Sequence, residues 1–147
     1  MNVKLRRYRE ADVQQILNLF NETIQHVNNK DYTQGQLAKW YQLSPDYKEW
    51  TQRFLQSITY VATIDNQIVG FGNRKSNLID CLYVDYRFVG QGIGAKLLKV
   101  LLVGQGHCEV YASITAKPFF EKFGFQVVKE IRNKRGNEIL MNYYMTQ

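Results

Sequence analysis

The chain has little of what marks several large protein classes. Its 147 residues hold 2 cysteines, Cys81 and Cys108, both inside strand-like runs. Two are too few for a disulfide scaffold, and both read as buried, reduced thiols. The 2 histidines, His26 and His107, lie far from any ligand spacing, so no metal site is expected. No apolar run approaches the roughly 18 residues of a membrane span, so no membrane partner is expected. The opening MNVKLRRYRE lacks the apolar stretch of a signal peptide, which points to a cytoplasmic protein.

What is present is an ordinary globular balance, 45% apolar and 22% charged, over a length that suits one domain, residues 1–147. The net charge of +6 fits an anionic ligand, a nucleic acid, or solubility alone. The densest basic run, KEIRNKRG from Lys129 to Gly136, reads as a strand end and turn with solvated side chains. No groove-reading or base-stacking motif accompanies it, so no nucleic-acid partner is expected. Nothing in the residues separates a monomer from a homodimer.

Periodicity orders the chain. Val3 to Tyr8 reads as a strand, and Val13, Ile16, Leu17, Phe20 and Ile24 form a helical stripe after Asp12. Thr33 and Gln36 are spaced for a capping box, and Ser44-Pro45 starts a further helix with proline at its first position. Ser57 to Ile64 and Gln67 to Gly72 are strands around an Asp65-Asn66 turn, and Asn77 to Val84 is a third. Gly92 to Val103 is a helix stopped by Gly104, followed by a strand at Glu109 to Ala112 and a short helix from Pro118 to Phe123. Phe125 to Ile131 and Glu138 to Met145 close the chain as strands. The order predicts an α+β fold with a central mixed sheet.

Within this order, VDYRFVGQGIGAKLL (Val84 to Leu98) places Gly90, Gly92 and Gly94 directly before a helix. Glycine costs backbone entropy, so such a cluster implies a loop whose N–H groups must approach a ligand closely, often a phosphate. Gly90-x-Gly92-x-x-Ala95 satisfies a loose dinucleotide fingerprint, but Asp85 to Val89 separate it from its strand and hairpins precede it. A P-loop is excluded because no Gly-Lys-Ser/Thr follows. A plain strand-to-helix turn explains one glycine better than three in alternation.

Leu82-Tyr83-Val84-Asp85, five further residues, then Gly90-Gln91-Gly92-Ile93-Gly94-Ala95 resembles the acyl-CoA motif of the GNAT N-acetyltransferases. Ala116 to Phe125, AKPFFEKFGF, resembles the family's second motif, which ends Tyr-Glu-Lys-x-Gly-Phe. The element order fits over the whole chain, and SITAKPFFEKFGFQVVK with DYTQGQLAKWY looks closest to a small bacterial YafP-like subgroup. The resemblance implies a mostly antiparallel sheet flanked by helices, with splayed strands forming an acyl-CoA site. It implies acetyl-CoA as co-substrate and an amine as acceptor. The aromatic residues between His26 and Trp50 favour a small hydrophobic or aromatic amine over an aminoglycoside, a polyamine or a protein lysine. Leu82, Tyr83 and Val84 would run along the pantetheine arm; Val89, Gly90, Gln91, Gly92, Ile93, Gly94 and Ala95 would cradle the pyrophosphate. Phe120 and Lys122 of the second motif complete the expected cofactor contacts. The family signature Gln/Arg-x-x-Gly-x-Gly/Ala fits Arg87-x-x-Gly90-x-Gly92 by letter. Distance from the strand and the helix start favour Val89-x-x-Gly92-x-Gly94, leaving no side-chain phosphate contact at the first position.

The chemistry requires a donor for the thioester oxygen and management of the amine proton. By resemblance, a backbone N–H near Leu82 or Tyr83 serves the first. Asp80, an acid without evident partner in an apolar strand, is the candidate base or water-orienting group; a hydrogen-bonded structural aspartate is the other reading. The family's acid is a tyrosine where this chain has Phe120, which cannot donate a proton. Tyr83 and Tyr111, with Tyr143 and Tyr144 behind them, are the substitutes, or the thiolate leaves unassisted. Catalysis and a catalytically weak CoA-binding sensor both remain open. His26, Tyr32, Trp40, Tyr41, Tyr47 and Trp50 suggest either core or an aromatic acceptor pocket.

Overall fold

Local turn chemistry builds the sheet one hairpin at a time. In the computed structural model, which describes residues 2–147, Asp65 and Asn66 both take left-handed backbone, φ 51° and 65°. Two such residues make a hairpin turn that matches strand twist. They join β2 (Ile58–Ile64) to β3 (Gln67–Lys75), and Ser76, at φ 53°, helps turn β3 into β4 (Leu78–Val84). β1 (Lys4–Arg7) pairs antiparallel with β2. The glycine loop and α4 (Ile93–Leu102) then carry the chain to β5 (Glu109–Ser113), which lies parallel to β4. A parallel neighbour needs a crossover of this length, and α4 supplies it. After α5 (Lys117–Lys122) comes a long hairpin, β6 (Gln126–Arg135) and β7 (Glu138–Thr146), turned at Gly136 with φ 60°. β7 inserts beside β5, so the seven strands run β1-β2-β3-β4-β5-β7-β6.

Three helices precede the hairpins: α1 (Val13–His26), α2 (Gln34–Ala38) and α3 (Tyr47–Leu55). The capping box of α2 forms as expected, with Gln36 N–H donating to Thr33 Oγ1 at 3.1 Å and Thr33 N–H to Gln36 Oε1 at 2.8 Å. Pro45 does not open α3. Asp46 caps it instead, accepting from the Glu49 N–H at 3.1 Å, because a carboxylate satisfies an orphan donor that proline leaves alone. β6 runs four residues beyond the expected Ile131, since β7 pairs it down to Arg135 opposite Glu138.

The helices cover the two sheet faces separately. Ile16, Phe20, Ile24, Leu37 and Phe54 pack on Val61, Phe71 and Cys81. On the other face Leu98 and Leu101 of α4 and Phe120 of α5 meet Ile79, Val110 and Met145. Cys81 and Cys108 are buried free thiols. Among the described residues no helix is long and apolar enough to cross a membrane.

Close contact between α4 and β3 rests on glycine. A Cβ built at Gly72 would stand 3.0 Å from methyl groups of Leu101 and Leu82 and 3.1 Å from the Cys81 carbonyl oxygen. The methyls can rotate away, but the strand carbonyl cannot. Gly72→Ala should therefore destabilise the fold by about 1–3 kcal/mol, the cost typical of overpacking. Urea denaturation reads it, and an unchanged midpoint would mean that the sheet yields freely under α4.

Candidate active site

The site begins with a bulge. β3 pairs Asn73 with Cys81 and Arg74 with Ile79, leaving Asp80 without a partner across the ladder. A bulge re-aims side chains, and here Asp80 and Cys81 both turn toward the face of α1 to α3. Asp80 is not the partnerless acid expected from its strand. Arg53 of α3 grips it with two hydrogen bonds, Nε to Oδ2 at 2.8 Å and Nη2 to Oδ1 at 2.6 Å. Asn73 Nδ2 adds a third at 3.0 Å and also donates to Ser57 Oγ at 3.0 Å. The guanidinium lies 4.5 Å above the Trp50 ring. Burial pushes the Asp80 carboxyl upward, but the Arg53 hydrogen bonds and charge, helped by Asn73, hold it below the ordinary carboxylate range. Asp80 is thus an anion at neutral pH. Burial pushes the neighbouring Cys81 thiol up to about 12, so it stays protonated.

Just past the bulge the sheet opens. β4 and β5 share only the pairs Leu78 with Glu109 and Ile79 with Val110 before they part. A cavity of about 260 Å³ occupies the gap and reaches the β6–β7 hairpin; Asp80, Leu82, Tyr83, Tyr111 and Phe120 all line it. Phe120 is 3% exposed and sets its ring edge-to-face against Phe119 and Phe125, at 5.2 and 5.3 Å. Tyr83 stacks on Phe71 and tilts against Phe20, and burial raises its phenol above the ordinary value. Tyr111 is exposed and rests on Tyr144, whose hydroxyl donates to Glu109. Tyr143 lies beneath the Lys117 ammonium.

The expected aromatic cluster divides. Tyr32 and Trp40 line the cavity, their rings 5.2 Å apart edge-on. The Tyr32 hydroxyl donates to the Met141 carbonyl at 2.6 Å and accepts the Ile114 N–H at 2.9 Å, tying the early helices to β7 and the end of β5. Trp50 instead packs in the core against Phe20 and Phe54, Tyr41 packs against the same core, and His26 stacks on Tyr86. Tyr47 is exposed.

The glycine loop starts from buried Asp85, which accepts the Arg87 N–H at 3.0 Å and pairs with its guanidinium at 2.8 Å. The Arg87 hydrogen bond holds that carboxyl below its ordinary range. Gly90 and Gly92 sit at φ 81° and 82°, conformations that only glycine adopts without strain. A Cβ at either would meet nothing within 4 Å, so the space beyond the loop is open. Gly92 is the N-cap of α4; its carbonyl takes the Lys96 N–H at 3.1 Å, and the helix opens at Ile93 with first-turn N–H groups that have no intrahelical partner. Gly94 differs: its Cβ would come 3.3 Å from the Phe119 ring, so it lets α4 approach α5. Val89 is 52% exposed and carries no polar group. An open cradle of this kind fits a pyrophosphate, and the parted strands fit an extended arm. Val84 and Gly94 are near neighbours that link strand to loop. Lys122 is exposed on α5 and is not part of the cavity wall. Arg53 and Asn73, which sequence reasoning did not single out, support the site, and their only signal was the unexplained acid at Asp80. Arg135, expected as a solvated turn residue of the basic run, and Asn142 line the cavity.

A sheet opened between parallel strands, with a glycine loop at the head of the crossover helix, is the architecture of CoA-dependent N-acetyltransferases. Residues 28–143 match the family described as Acetyltransferase (GNAT) domain. The chain belongs to that family of N-acetyltransferases. It is 36% identical over 144 residues to the uncharacterized N-acetyltransferase YafP of Escherichia coli (strain K12), covering 98% of this chain and 95% of that one. A GCN5-related N-acetyltransferase from Rhodopseudomonas palustris superposes with a TM-score of 0.92 at 28% identity, covering 100% and 96%. The PaiA N-acetyltransferase of Thermoplasma acidophilum, solved with coenzyme A, shares the fold at a TM-score of 0.78 and 17% identity, covering 100% and 99%.

The ion pair at the bulge makes a pH-dependent prediction. A carboxyl whose folded pKa is depressed stabilises the fold above the ordinary value, about 4, and loses that contribution as pH falls through the lower folded value. Asp80→Asn should thus lower the urea midpoint at neutral pH, and the gap to the native chain should narrow as the pH falls below the ordinary carboxylate value. A gap that ignores pH would contradict the electrostatic reading.

Proposed function

We propose that this chain acetylates the primary amine of a small molecule in one direct step. The observation that carries the reading is the parting of β4 and β5 after two paired residues around a cavity, with the open glycine loop following β4 in the chain. When bound, acetyl-CoA supplies the electrophilic acetyl carbon, and transfer exchanges its C–S bond for a C–N bond, the proton lost by nitrogen ending on the CoA sulfur.

The chain's residues act as follows. Loop and first-turn N–H groups from Val89 to Ala95, with the helix dipole of α4, hold the pyrophosphate. A backbone N–H at Leu82 or Tyr83, on the unpaired stretch of β4, faces the carbonyl oxygen and stabilises the charge that develops there. Asp80 stays ionised under Arg53, which makes it a weak base; its role is to attract the incoming ammonium and orient the water that takes its proton. Phe120 and Leu82 wall the sulfur end with carbon. Of the phenols, Tyr111 is better suited as proton donor than Tyr83, whose buried hydroxyl holds its proton more tightly.

Phe120 favours a second reading, a CoA-binding module with little catalysis. Two variants separate the readings. Gly92→Glu sets a bulky anion at a left-handed position in the cradle and should abolish CoA binding by calorimetry with the circular dichroism unchanged. Retained tight binding would refute the cradle. Phe120→Tyr adds one oxygen facing the cavity and should raise kcat, by up to ~10²-fold, if sulfur departs without an acid. An equal or slower rate would show that another donor already serves, and no turnover of any amine by either form would establish the binding module.

A further inference from the structure

The polar groups of the cavity are mismatched with one another in a way that describes the missing acceptor. Arg135, the last residue of β6, lines the cavity, and among the described residues no carboxylate lies within 4.0 Å of its guanidinium. Its hydrogen bond goes to the Lys134 carbonyl at 3.1 Å. The acid opposite it across the hairpin, Glu138, is turned onto Gly35 of α2. Asn142 of β7 lines the same cavity with a buried Oδ1 that has no donor. An orphan buried acceptor destabilises a protein unless something else supplies a donor. Asn133 is already spent, its Nδ2 donating to the Leu140 carbonyl at 3.0 Å. Asp80 is ionised but already paired with Arg53. The cavity thus has at its exposed rim one cation without a carboxylate partner and in its wall one buried acceptor without a donor, beside apolar walls from Tyr32, Trp40 and Leu140.

We propose that the acceptor is an amine that carries its own carboxylate, an amino acid with an apolar or aromatic side chain, and that Arg135 is the residue that selects it. The proposal rests on the acetyl-transfer reading and deepens it. The carboxylate pairs with the Arg135 fork, the amine donates to Asn142 Oδ1 before it attacks, and the side chain lies on Tyr32 and Trp40. A polyamine or aminoglycoside is disfavoured here, because its further ammonium groups meet Arg135 while the acid in the cavity wall, Asp80, is already paired with Arg53. The volume, about 260 Å³, falls below the roughly 300–1,000 Å³ of pockets for drug-sized ligands, which also favours a small acceptor.

The test compares L-phenylalanine, L-phenylalaninamide and 2-phenylethylamine by CoA release. The three amines differ in intrinsic basicity, so the informative quantity is how their kcat/KM ratios change between the native chain and Arg135→Gln. The native chain should prefer L-phenylalanine, and Arg135→Gln should cut that preference about tenfold, the lower end for a hydrogen bond to a charged group. Lys129→Gln, an exposed change on the same strand, should leave the ratios alone. Calorimetric titration of the CoA-saturated protein with N-acetyl-L-phenylalanine gives a readout independent of turnover, and Arg135→Gln should weaken it by a similar factor. Ratios and product affinity that ignore Arg135 overturn the proposal while leaving acetyl transfer intact. CoA binding with no turnover of any amine overturns both.

Discussion

Everything in the site depends on how early the parallel ladder between β4 and β5 ends. Two residue pairs hold the strands together, and beyond Ile79 one edge of β4 has no strand beside it. Backbone groups left in this way need partners, and water or an extended ligand must supply them. The cause lies on both sides of the gap. On β4 the bulge at Asp80 ends the regular ladder, and Arg53 with Asn73 pins the bulged residue to α3 and β3. On the far side, β5 is committed to β7 over five residue pairs, from Glu109 opposite Thr146 to Ser113 opposite Asn142. Among the described residues the strand order runs unbroken from β1 to β6 while β4 and β5 part early, so the opening is preformed.

Charge follows the same economy. The acids at each end of β4 are each taken by an arginine, Asp80 by Arg53 and Asp85 by Arg87. Each of these carboxylates is thereby balanced by a local cation, while the chain as a whole keeps its +6. A basic protein with an open helix N-terminus draws in a polyanion from a distance and fixes it at short range with backbone N–H groups. The glycines divide the work: Gly90 and Gly92 give the loop its left-handed backbone, whereas Gly94 serves the contact between helices.

Most of the fold was legible because its signals are local. The strand and helix order, the Asp65-Asn66 turn, the Thr33–Gln36 box and the start of α4 at the glycine loop all follow from residues within a few positions of one another. The family resemblance was carried by two contiguous motifs. What escaped is non-local. Asp80 looked unpaired because Arg53 lies 27 residues away on another element, and the length of β6 depends on β7 pairing beyond the apolar run. The aromatic residues before β2 could not be sorted by periodicity, since Trp40 and Trp50 have the same character and pack on the same core, and only the fold shows that Trp40 also reaches the cavity. Lys122 sits in the second motif by letter, and its side chain is exposed on α5.

The central claim is that one ligand spans the opened strand edge and the glycine cradle together. Backbone amide resonances recorded while CoA is added test it without any acceptor amine. The account predicts shifts concentrated at Leu82 to Val84 and at Val89 to Ala95, with β1 and the tip of the β6–β7 hairpin unmoved. Shifts confined to the loop, with β4 silent, or centred on the outer sheet edge would contradict it.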